Sequence, residues 1–186
     1  MIWENNEDIK LIECANEKRT IQKHLNECRD ERRPYVFVTN TMTVKPLHRL
    51  LVPVSMLEEE TYKAEICTYI ARKTGAHIIL LQANDYGSHA RQNVNRIVTH
   101  IKAVMERTGE NISYEVAQAK KDSFGLVREA AERQRDFRHD LLILTASRDY
   151  GLDDILFGPP ERKAIQHALV PVMLVNPRED LFSLCD

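Results

Sequence analysis

Asp140-Leu141-Leu142-Ile143-Leu144-Thr145-Ala146-Ser147 is the stretch whose reading decides the fold. Four consecutive apolar residues without polar alternation describe a strand buried on both faces, the habit of parallel strands covered by helices on either side. Ile78-Ile79-Leu80-Leu81 upstream has the same character, and Leu50-Leu51-Val52-Pro53-Val54 and Val172-Met173-Leu174-Val175 bracket the two. Segments of helical period separate them, and this alternation is that of βαβ units and a parallel sheet. Pro53 inside a run usually demotes a strand to an edge, but it lies near the run's end, where ladder pairing can already have stopped.

The connecting segments carry their own signals. A helix is expected from Leu57 to about Thr74, with Ala64, Cys67 and Ala71 inward and Gly75 closing it in a left-handed conformation. Ser88 can cap a second helix on which Val94, Ile97, Val98, Ile101, Val104 and Met105 keep a 3.6-residue period up to Gly109. Ile112-Ser113-Tyr114-Glu115-Val116 alternates, as a strand near the sheet edge does. Asp122 or Ser123 then caps a helix presenting Leu126, Val127, Ala130 and Ala131, and Gly158-Pro159-Pro160-Glu161 opens a last short helix. Five strands and their helices make a doubly wound α/β parallel sheet over residues 48–178, in which ligands bind beyond the carboxyl ends of the central strands.

Residues 1–47 form a smaller β-α-β extension and linker: an apolar stretch at Ile9 to Ile12, a helix with Ile21, Leu25 and Cys28 on one face, and the strand Tyr35-Val36-Phe37-Val38. It is too small to fold alone. Its end, Pro34-Tyr35-Val36-Phe37-Val38, echoes Pro171-Val172-Met173-Leu174-Val175, which suggests the tail of a preceding unit, with Thr39 to Leu47 as linker. Residues 179–186 are a tail that is apolar for a terminus, suited to docking or to fraying.

The bulk numbers exclude several classes. At 186 residues, with 43% hydrophobic and 29% charged side chains, the chain has the make-up of one globular domain with a small appendage. Its apolar runs are far shorter than the roughly 20 residues of a membrane span. Glu4, Glu7 and Asp8 follow Met1-Ile2-Trp3 where a signal segment would be basic, so a cytoplasmic location is expected. Four separated cysteines form no C-x-x-C pair and indicate neither zinc site nor disulfide framework. A net charge of -2 gives no reason to expect nucleic acid or an anionic membrane as partner. Arg133, Arg135 and Arg138 alternate with Glu132, Asp136 and Asp140, the pattern of a solvated helix end.

Taken together, the runs beginning at Leu50, Ala71, Asp140 and Pro171 resemble the universal stress protein family in order and spacing, over roughly the last 130 residues. The resemblance implies a Rossmann-like fold, a role in stress response without enzymatic activity, and a homodimer formed through the last strand's edge. Tyr35 to Val38 filling that edge within one chain is the alternative. Nucleotide-binding members have an aspartate after the first strand and a loop of form G-x-x-G-x9-G-[S/T] after the fourth. Here the aspartate position is Ser55, the first two glycine positions are Thr145 and Arg148, only Gly158 survives, and Pro159 stands at the hydroxyl position. Implied site residues are Val54, Ser55, Ala83, Thr145, Ser147, Arg148, Gly158 and Pro159.

Glycines would let the backbone approach phosphate, whereas Pro159 and Pro160 delete N–H donors from the helix start. Asp149, Asp153, Asp154 and Glu161 add repulsion, and only Arg148 could grip a phosphate, although a salt bridge to a neighbouring aspartate is the simpler role for it. ATP binding is therefore expected to be lost, with no cofactor. The alternative is an adenine nucleotide held at the strand ends by Arg148 and Ser147. A hydrolase built on Ser55, Thr145 and Ser147 lacks a G-x-S-x-G elbow, and hydroxyls bonding loop backbone is the stronger reading. His89, His100, His139 and His167 show no metal spacing and are expected at the surface or at caps.

Overall fold

The structure, a computed structural model, describes residues 1–4, 6–133, 138–147 and 159–177. In chain order the elements are β1 (Lys10–Cys14), α1 (Lys18–Glu27), β2 (Tyr35–Thr39), β3 (Arg49–Val54), a 3-10 turn (Glu58–Tyr62), α2 (Lys63–Thr74), β4 (His77–Gln82), α3 (Ser88–Arg107), β5 (Tyr114–Gln118), α4 (Leu126–Glu132), β6 (Leu141–Thr145), α5 (Pro160–His167) and β7 (Val172–Val175). Among the described residues no helix is long and apolar enough to cross a membrane.

The strands form one sheet in the order β1-β2-β7-β6-β3-β4-β5. It has seven strands where five were expected, because the N-terminal β-α-β joins the main sheet: β2 pairs antiparallel with β7, and every other contact is parallel. The homodimer expected through the edge of β7 therefore has no free strand to use; the chain fills that edge itself. The register is symmetric, Tyr35 opposite Leu174, Val36 opposite Met173 and Phe37 opposite Val172. Val36 and Met173 each lie two residues past a proline, so the pairing turns about a local two-fold at these two residues. Asn176 secures the junction, donating from Nδ2 to the carbonyls of Cys28 (2.7 Å) and Glu31 (2.9 Å) and accepting from the Tyr35 hydroxyl (3.1 Å).

The core follows the sequence pattern. Leu50 to Val52, Ile78 to Leu81, Leu141 to Leu144 and all of β7 are buried, as are the six expected positions of α3 and Ala64, Cys67 and Ala71 of α2. Burial raises the Cys67 thiol to about 12, leaving it an inert packing residue. Trp3 and Ile9 belong to the same core, and Asn6 ties their segment to the Tyr69 hydroxyl on α2 at 3.4 Å. Pro53 remains inside β3 because its ladder is one-sided there. The carbonyl of Val54 faces β4, accepting from Ala83 N–H at 3.0 Å, so by alternation Pro53 faces β6, whose pairing covers only Leu50 and Leu51.

Several local expectations are corrected. The helix expected from Leu57 is interrupted, a 3-10 turn preceding α2. Ser88 begins α3 without capping it; Gly87, at φ 91°, is the N-cap, a conformation that favours glycine. β5 starts at Tyr114, two residues later than the alternation suggested, and α4 starts at Leu126 with Gly125 as N-cap: Ser123 bonds Asp85, while Asp122 Oδ1 accepts from the Gly125 N–H at 3.1 Å in the turn before the helix. Arg133 is no solvated end: it pairs with buried Glu129 at 2.6 Å. His139 is also internal, 3% exposed, and neither ring nitrogen has a partner among the described residues. Burial lowers its pKa to about 4, with Asp140 pulling it upward and Arg49 downward.

Candidate functional site

A cavity of about 370 Å³ opens at the carboxyl ends of β3 and β6, where a doubly wound sheet places its ligands. Ser55, Ser123, Thr145 and Ser147 line it, with Leu57 and Phe124 among its apolar residues. Each of the three serines hands both its backbone N–H and its hydroxyl to one carboxylate. Ser55 donates both to Glu60 Oε1 (3.3 and 2.5 Å), Ser123 to Asp85 (2.9 and 2.5 Å), and Ser147 to Glu161 (both 3.0 Å). Met56 N–H donates to the Ser123 hydroxyl at 2.9 Å, so the loops after β3, β4 and β5 form one network.

Glu60 is the most heavily used of these groups. Besides Ser55 it accepts from Thr145 Oγ1 at 3.0 Å and from the ammonium of Lys63, one turn along. These four donors match the roughly four lone-pair sites of a carboxylate. Lys63 is 1% exposed and reaches the carbonyl of Pro53, which β6 has left unpaired. The buried ammonium is thus paired with an opposite charge and a carbonyl of the same chain, as a buried ion requires. Glu161 does a similar job at the start of α5. Pro160 is the first helical residue and has no N–H to offer, while a carboxylate in the first turn suits the helix dipole.

Neither a protein-family model nor a curated protein sequence matches the chain. Solved structures match its fold. A universal stress protein from Archaeoglobus fulgidus superposes with a TM-score of 0.65 at 16% identity, over 95% of this chain and 63% of that one. A putative universal stress protein from Pseudomonas aeruginosa gives 0.56 at 12%, over 94% and 64%. A universal stress protein in complex with cAMP gives 0.54 at 13%, over 72% of this chain and 100% of its own. The protein has the universal-stress-protein fold. It spans less than two thirds of the length of the Archaeoglobus protein.

Within the universal-stress-protein fold the implied site residues divide into three groups. Ser55, Thr145 and Ser147 come together on the cavity wall. Val54 and Ala83 are buried behind it, joined by their backbone bond, and Pro159 is the buried N-cap of α5, with Pro160 on the wall. Arg148 and Gly158, with Asp149, Asp153 and Asp154, lie outside the described residues. Sequence reasoning missed Glu60 and Lys63. The carboxylate absent at Ser55 returns from five residues downstream, and the only signal was an acid and a lysine three apart, which on a helix usually marks a solvated face. Glu161 was expected to repel a ligand; in the structure its carboxylate also accepts from the backbone N–H and the hydroxyl of Ser147.

Proposed function

We propose that the chain is a non-enzymatic module of the universal-stress-protein fold, serving regulation or assembly in the cytoplasmic stress response, with ATP binding lost. The observation that carries this reading is the Glu161 carboxylate on the backbone N–H and hydroxyl of Ser147. A phosphate bound where β6 ends, facing the start of α5, needs donors of that kind, and a hydrogen bond to a charged group is worth about 1.5–3 kcal/mol. Here those donors already serve an anion covalently tethered to the helix. The free cysteines Cys14, Cys28 and Cys67 fit a reducing compartment. Residues 1–47 are read as the tail of a preceding unit, a reading supported by the symmetric register of β2 and β7 and by the greater length of the Archaeoglobus protein.

The cAMP complex of a protein with this fold favours a second reading, in which an adenine nucleotide binds through a non-standard loop. Calorimetric titration with ATP, AMP and cAMP separates the two. The first reading expects no saturable heat at millimolar nucleotide and no phosphate release above background. Micromolar binding of any of the three overturns it.

A further inference from the structure

The hydroxyls on the cavity wall have an unusual common property. A hydroxyl carries one proton and two lone pairs. Ser55 and Thr145 give their protons to Glu60, Ser123 to Asp85 and Ser147 to Glu161. The backbone N–H groups of Ser55, Met56, Ser123 and Ser147 are likewise directed at carboxylate or hydroxyl oxygens of the chain. Ionised carboxylates accept and do not donate, so these assignments follow from chemistry at neutral pH. What the hydroxyls keep for a ligand is lone pairs. Ser123 and Ser55 Oγ each spend one lone pair on a backbone N–H, of Met56 (2.9 Å) and Leu57 (3.4 Å), and keep the other; among the described residues the wall therefore presents acceptors, with the half-buried carboxylate of Glu59 also lining it.

The cavity's apolar residues are as informative. Phe124 is 87% exposed and Leu57 55% exposed, two of the six large exposed hydrophobic residues among those described, and both line this one cavity. A bare aromatic ring beside a concave polar pocket is the arrangement that holds a flat ligand with its polar end inward. The volume of about 370 Å³ lies within the range of small-molecule sites.

We infer that the cavity binds a small organic cation in which a donor-only head, an amidinium or ammonium group, meets the acceptor wall while a flat apolar part lies against Phe124 and Leu57. This rests on the reading that phosphate has no free donors at the same site, and it goes further by naming what the altered wall selects. A cation also gains from the Glu59 carboxylate, and the exposed Phe124 ring adds a cation–π or stacking contact.

Benzamidine and benzoate test the inference, since they share shape and size but one only donates and the other only accepts. Each is titrated into the full chain followed by amide NMR, beside ATP. The expected result is saturable benzamidine shifts at residues 55–60, 123–127 and 144–147, with affinity at least about tenfold above that of benzoate. Phe124→Ala, at an exposed site that does not threaten folding, should weaken benzamidine about threefold to tenfold. Equal or tighter binding of benzoate, shifts confined to another surface, or no benzamidine binding overturns the inference. No benzamidine binding together with no ATP binding leaves the proposed function standing, whereas ATP binding overturns that function whatever benzamidine does.

Discussion

Lowering the pH from 7.5 to 5 tests the consequence of burying His139. An ordinary histidine has a pKa of 6.5, and burial of this imidazole lowers it to about 4. Between those values the unfolded chain holds a proton that the folded chain does not. Stability from this group is therefore full above pH 6.5 and declines as the pH falls toward 4. At about 1.4 kcal/mol per pKa unit, the loss is about 2 kcal/mol at pH 5 and about 3 kcal/mol at pH 4. Carboxylates act lower: Glu31, held down to about 2 chiefly by its hydrogen bond from Arg33, protects the fold above pH 4.5 and loses its contribution only below that. Comparison of the wild type with His139→Leu across the window from 7.5 to 5 isolates this imidazole. Trp3, the only tryptophan and a buried one, reports urea unfolding by fluorescence. The wild type should lose about 2 kcal/mol across this window and His139→Leu less than about 0.5 kcal/mol, whatever the variant's stability at pH 7.5. Equal losses in the two proteins would refute the reasoning.

Lys63→Met should cost about 3–5 kcal/mol in urea unfolding by leaving Glu60 buried without its cation, and adding Glu60→Gln should recover much of it. Glu161→Ala should cost about 2 kcal/mol, because Ser147 loses an acceptor for two donors; thermal unfolding checks this, and an unchanged midpoint would deny Glu161 its clamping role. Asn176→Ala removes the hydrogen bonds from the end of β7 to Tyr35 and to the carbonyls past α1. Hydrogen exchange should accelerate in β1 and β2 by about tenfold or more while β4 is unaffected.

The sheet's centre was legible because burial on both faces leaves a direct trace in the sequence: Leu141 to Leu144 and Ile78 to Leu81 have no polar position to misread. The period of α3 was legible for a related reason, since six apolar residues at helical spacing admit one inward face. Three-dimensional pairings left no such trace. Whether Tyr35 to Val38 would fill the edge of β7 in the same chain depends on where the linker leads. The site was half legible. Ser55, Thr145 and Ser147 follow from their places at strand ends, but the partners of their protons come from Glu60, which no motif singled out, and from Glu161, which was expected only to repel a ligand. A buried acid or lysine is overlooked when its counter-group is supplied by the fold, and His139 was expected at the surface or at a cap because a histidine beside Asp140 gives no sign of burial.

The symmetric contact between β2 and β7 has a kinetic and mutational meaning beyond closing a sheet edge. Two such strands on separate molecules would meet at a rate set by concentration and part on dilution; here a short tether fixes their effective concentration, so the contact survives at any dilution. Separate identical strands would also feel every substitution twice, once on each side of the axis. In one chain the two sides vary independently. Tyr35 can carry a hydroxyl bonded to Asn176 while Val172, at the matching place after its own proline, remains plain hydrocarbon.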